Sequence, residues 1–133
     1  MYRTGPIRPP LYAGAVEIRN LQDLVRFDDE APTRTTLYET ERTWAELVCL
    51  DGNQSYGPVG DERADALFTI VAGEAVFVVD GIRKRLRQWR TLLAEPGAMV
   101  TVTNASADPL VVLVVLSPPP DPSLPDRPDA RSR

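Results

Sequence analysis

Residues 60–81 read GDERADALFTIVAGEAVFVVDG and residues 89–104 read WRTLLAEPGAMVTVTN, and how these two stretches are read decides the fold. Residues 67–71 and 75–79 are runs of branched and aromatic side chains, the composition that fits a pleated, half-buried surface. Between them Ala72, Gly73 and Glu74 read as a tight hairpin. Asp80 and Gly81 make the next turn, since Asp-Gly tolerates the positive φ that a two-residue connection demands. Residues 82–92 alternate and lead through Glu95, Pro96 and Gly97 into residues 98–103. Residues 104–108 then turn the chain into the apolar strand 110–116.

Working outward, residues 33–40 and 43–50 are rich in threonine, aromatic and branched residues and read as two further strands, with Asp51 and Gly52 as a turn before Tyr56. Residues 16–27 hold a modest helical signal, in which Asn20 is placed to cap a helix beginning at Leu21. The expected organisation is a leader over residues 1–32, a β-rich body over 33–118 and a proline-rich disordered tail over 119–133. In the leader, Ile7, Leu11 and Tyr12 are candidates for an edge strand. In residues 117–133 six prolines accompany one large apolar residue, Leu124, too little burial to offset the entropy of ordering. Short strands separated by Gly, Pro and Asp turns imply an all-β, closed or sandwiched antiparallel architecture with minor helical content.

The 133 residues suit one domain. The single cysteine, Cys49, has no partner for an internal bridge and lies in the apolar run 45–50, where it reads as a buried strand thiol. The chain has no histidine, so a Cys-His nucleophilic pair and a Ser-His-carboxylate triad are both excluded within it. Residues 1–10 lack the apolar segment of a signal peptide. The strongly apolar run 110–116 is too short to span a bilayer. The expectation is a cytoplasmic protein without a membrane partner. With 15 basic and 19 acidic residues the net charge is −4, which provides no global attraction to nucleic acid.

The body resembles a small single-domain cupin, a jelly-roll β-barrel, over residues 33–118. The family's first motif has two histidines one residue apart, then a glutamate, then six residues and a glycine. Setting that glycine on Gly73 places the glutamate on Ala66 and the histidines on Gly60 and Glu62. A one-residue insertion would move the histidine positions to Val59 and Asp61. In the second motif Pro96 and Gly97 fit the turn, the histidine falls on Val100, Asn104 is retained, and the opening glycine falls on Trp89. The resemblance thus implies a cupin-like jelly-roll β-barrel whose metal ligands have been replaced, with no metal and no cofactor, since a transition ion needs three or four converging donors.

If that register holds, period two turns Ala66, Phe68 and Ile70 inward, with Val100 and Val102 entering the same space. One expectation is a metal-independent pocket for a small, largely apolar organic molecule, with Gly60, Glu62 and Ala66 at the emptied positions. Tyr38, Trp44, Gln54 and Tyr56 are the residues able to line its mouth. A second is a proton-transfer enzyme, an isomerase, dehydratase or cyclase, in which Glu62 is the catalytic acid or base. A third is a structural or protein-interaction module with a filled barrel. The basic run at residues 83–90 places Arg83, Arg85 and Arg87 on one strand face opposite Ile82 and Leu86, which reads as a solvated surface, so no nucleic-acid partner is expected. Resemblance to the family adds the expectation of a homodimer.

Overall fold

Strands form wherever an apolar run can turn alternate side chains toward a shared interior. The computed structural model describes residues 14 and 16–121; the leader positions Ile7, Leu11 and Tyr12 and the tail from residue 122 onward lie outside them. Among the described residues nine strands follow one 3-10 turn, Leu21–Leu24: β1 Thr33–Glu39, β2 Trp44–Leu50, β3 Ser55–Val59, β4 Asp65–Ala72, β5 Glu74–Val79, β6 Ile82–Arg87, β7 Thr91–Ala94, β8 Val100–Thr103 and β9 Leu110–Ser117. Asn20 caps the 3-10 turn by accepting a hydrogen bond from the Gln22 amide at 3.0 Å. Among the described residues no helix is long and apolar enough to cross a membrane.

The strands make two antiparallel sheets, one ordered β1-β2-β9-β4-β7 and the other β3-β8-β5-β6. Between them lies a continuous apolar layer that includes Val48, Leu50, Phe68, Ile70, Phe77, Val100, Val102, Val112 and Val114, all fully buried. Phe68 of β4 meets Phe77 of β5 edge to face, ring centroids 5.4 Å apart, joining the sheets near their middle. Each such side chain contributes about 1.5–3 kcal/mol on burial, and their number makes this layer the main source of stability. A second apolar cluster, built on Leu37, Ala45, Leu47, Cys49 and Val111, occupies the outer face of the five-stranded sheet, where Leu21, Leu24, Val25 and Phe27 cover it. β2 is therefore buried along its whole length, because its neighbours cover both faces.

The expected jelly-roll β-barrel is corrected by this topology. Neither sheet closes on itself: β1 and β7 are the edges of one, β3 and β6 of the other. Closure requires the edge strands to exchange backbone hydrogen bonds, and here the edges are built against it. β3 carries Pro58, which has no donor, and β6 carries Arg83, Lys84, Arg85 and Arg87, charges that blunt an edge.

Three local readings change for related reasons. Gly73 does not close a hairpin; β4 pairs with β7 and β9, and β5 with β6 and β8, so the chain crosses between sheets at this residue. Its φ is +88°, and a Cβ there would stand 2.3 Å from the Pro109 carbonyl oxygen, so glycine is required by both conformation and space. The stretch 82–92 is not one strand but two in different sheets, broken at Trp89, whose φ is +74°. The Trp89 amide donates to Ile70 O at 2.8 Å and the Ile70 amide to Arg90 O at 3.0 Å. The left-handed residue is the one that falls on the cupin motif's opening glycine. β3 escaped the sequence reading because Gly57 and Pro58 interrupt it with a bulge. Asp80 and Gly81, by contrast, with φ of +51° and +83°, form the two-residue turn their sequence announces, with Val79 opposite Ile82.

The retained Asn104 is wholly buried. Its amide nitrogen donates to Leu50 O at 3.0 Å and Asp108 O at 2.7 Å, and its side-chain oxygen accepts from the Ser106 amide at 3.0 Å. It thus ties the β8–β9 loop to the end of β2. Asn104→Ala removes the side-chain donor to the buried Leu50 carbonyl and the link to the β8–β9 loop, and is expected to cost about 2–3 kcal/mol in chemical denaturation. The two corners should respond oppositely. Gly73→Ala should lose at least about 2 kcal/mol, whereas Trp89→Gly, at an exposed site that favours glycine, should lose nothing and gain up to about 1 kcal/mol.

Candidate functional site

The bulge at Gly57 and Pro58 resets β3 so that Tyr56 and Val59, three residues apart, both point into the interior. Val59 then lies opposite Val100, and on the other sheet Ala66 lies opposite Ala94. Of the positions named in the two registers, Val59, Ala66 and Val100 enter one apolar core. Gly60 is half-buried, and a Cβ on it would stand 2.3 Å from Ala98 O. The Asp61 carboxylate caps its own turn, accepting from the Arg63 amide at 2.7 Å and lying 3.5 Å from Arg63 Nε. Glu62 is exposed on the loop between β3 and β4.

This donor set does not fit the transition ion that the family resemblance brings to mind. Val59, Ala66 and Val100 offer no lone pair, the chain contains no histidine, and among the described residues no three His, Cys, Asp or Glu side chains gather as a metal site. No chemistry can be routed through an ion that these residues would not hold.

Of the residues expected around a pocket, Trp44, Tyr56, Ala66, Phe68, Ile70, Val100 and Val102 come together in the layer between the sheets. Tyr38 belongs to the opposite face, where its hydroxyl donates to Glu17 O at 3.3 Å and its ring lies 5.0 Å from the Arg19 guanidinium. Gln54 spans the β2–β3 turn, accepting from the Asp51 amide at 2.8 Å and donating to Asp28 O at 2.7 Å.

Open space lies at the side where β6 and β7 face each other without pairing. A cleft of about 330 Å³ is lined there by Val79, Ile82, Leu92, Ala94 and Ala98, with Asp80, Lys84 and Glu95 as its charged residues. Its floor adjoins the emptied motif positions directly, since Val79 pairs with Val100 and Ala94 with Ala66. The sequence cue for this site was period two in β6: Ile82, Lys84 and Leu86 share the inward face, and Leu86 packs on the core, while Arg83, Arg85 and Arg87 take the outer one.

The opposite side of the sandwich is closed by a polar cluster that the sequence reading missed. Glu46, in β2, is fully buried and accepts a hydrogen bond from the Tyr56 hydroxyl of β3. Arg34 of β1 donates to the same carboxylate through Nε at 3.2 Å and Nη2 at 3.4 Å, and its guanidinium lies 5.3 Å from the Tyr56 ring centre. Glu46 could have been found by alternation, as it stands in phase with Trp44, Val48 and Leu50. Burial, and next the negative charge of Glu46, hold the Tyr56 hydroxyl well above its ordinary value of 10.0, despite the opposing influence of Arg34.

No protein-family model and no curated protein matches the chain. Solved structures do. TT1209 from Thermus thermophilus is 30% identical, with a TM-score of 0.74 over 79% of this chain and 100% of its own. An RmlC-like cupin protein from Desulfovibrio desulfuricans is 22% identical, with a TM-score of 0.72 over 80% of this chain and all of that one. A cupin superfamily protein from Desulfitobacterium hafniense is 16% identical, with a TM-score of 0.66 over 78% and 93% of the two chains.

The raised Tyr56 value has a consequence for alkaline stability. Below pH 10.0 the hydroxyl is protonated in both folded and unfolded chains. Above it the unfolded chain releases the proton first, so stability falls as pH rises toward the folded value. Denaturation followed between pH 9 and about 11 should show a decline that is shallower in Tyr56→Phe; equal slopes in the two proteins would refute it.

Proposed function

We propose that this chain, which shares the fold of cupin proteins, binds a small, largely apolar organic molecule, without a transition ion, in the cleft between β6 and β7. The observation that carries this reading is the continuity of the cleft with the replaced ligand positions. Where the family's motif sets bulky donors, this chain has Val59, Ala66 and Val100, and the cleft walls next to them are Val79, Ala94 and Ala98. Apolar walls with a few polar groups are the ordinary make-up of small-molecule sites, and about 330 Å³ is at the lower end of their range of about 300–1,000 Å³.

Affinity in such a site comes from transferring apolar ligand surface out of water, about 25 cal/mol for each Å² buried. The rigid sheet backbones on either side supply a wall that needs little rearrangement to receive it. The three charged residues at the rim orient the ligand rather than hold its body.

Titration of the protein with a neutral probe such as indole, followed by amide NMR, should produce saturable shifts concentrated in residues 79–98. Ala98→Trp, which fills the cleft from its half-exposed rim, should weaken that binding at least about tenfold while leaving the melting temperature near that of the parent. Absence of saturable shifts, or shifts indifferent to Ala98→Trp, would remove the cleft as the binding site.

A further inference from the structure

We propose that the molecule taken up by this cleft is a monocarboxylate with an apolar body, its acid group held by Lys84; the inference rests on the cleft being the binding site. Lys84 is the one cation of β6 on the strand's inward phase. Arg83, Arg85 and Arg87 alternate to the outer face, where Arg85 already meets Glu74 at 3.3 Å. Lys84 lines the cleft beside Ile82 and Leu92, and its ammonium makes no ion pair or hydrogen bond with another described residue. An ammonium in an apolar cleft gains from a counter-charge, because the attraction strengthens as water is displaced. A bound carboxylate provides that charge at the place where the ligand's body excludes water.

The two acidic residues of the rim define the charge more narrowly. Asp80 stands at the tip of the β5–β6 turn and Glu95 just past the end of β7, so the cleft's own charges sum to one cation and two anions. A ligand with one negative charge satisfies Lys84. A phosphate or dicarboxylate would bring a second charge toward Asp80 and Glu95 without a second cation, as the β6 arginines project away. Phosphate recognition draws on an arginine fork or a run of backbone amides, and the walls here are apolar side chains. The chemistry of the site therefore fits an aryl- or alkyl-carboxylate better than a sugar phosphate or a diacid.

The discriminating measurement is an NMR titration of the full chain with three probes of shared body: phenylacetate, its neutral amide phenylacetamide, and the diacid phenylmalonate. At low ionic strength phenylacetate should bind about tenfold more tightly than either of the others, as a charge-assisted contact warrants. Lys84→Gln should bring phenylacetate down to the affinity of phenylacetamide and leave phenylacetamide unchanged. Lys84 is exposed, so the variant should fold as the parent does. Equal binding of acid and amide, or an acid preference that survives Lys84→Gln, overturns the assignment of charge while leaving the cleft as an apolar site. Binding by none of the three overturns both.

Discussion

Alternate residues of every strand must reach the same space between two sheets, and the chain meets that requirement by combining hairpins within a sheet with corners at which it changes sheets. Gly73 and Trp89, both with left-handed backbone, are two of those corners. The first carries β4 into β5 and the second carries β6 into β7. Without them Phe68 and Phe77 would lie in one sheet and face apart instead of meeting edge to face across the interior. The close approach of Gly73 to Pro109 also ties that corner to the start of β9, which pairs with β2 on one side and β4 on the other. The central strand and the corner thus depend on each other.

The interior that results is asymmetric. On the side of β1 and β3 the space between sheets is filled by Arg34, Glu46 and Tyr56, three polar groups satisfied by one another. Breaking such a buried pair by removing one partner costs about 3–5 kcal/mol, although the intact pair adds little over an apolar substitute. On the side of β6 and β7 the walls are small and apolar and the space remains open.

The chain shares the fold of cupin proteins without their metal-binding chemistry. Val59 pairs with Val100 within one sheet and Ala66 with Ala94 within the other, and all four side chains enter the shared interior. Their side chains have lost every donor. Asn104, a motif residue that is kept, serves the backbone: it satisfies carbonyls from β2 and from its own loop.

The sequence alone determined the strands whose composition is unambiguous, the Asp80 and Gly81 turn, the Asn20 cap, and the exclusion of histidine-based chemistry, because these depend on residue type and on neighbours a few positions away. It also brought out the motif spacing, and with it the likeness to cupin proteins. What it left to the tertiary structure were the relations between sheets. A glycine flanked by two apolar runs looks the same whether the runs pair with each other or with strands forty residues distant, so Gly73 read as a hairpin. An acid inside an apolar run shows its phase but not its partners, so Glu46 had no visible reason to be buried until Arg34 and Tyr56 arrived from β1 and β3. Edge closure, and the cleft that its absence leaves beside Lys84, depended on how two separate sheets stack, a matter of long-range packing that no local pattern encodes.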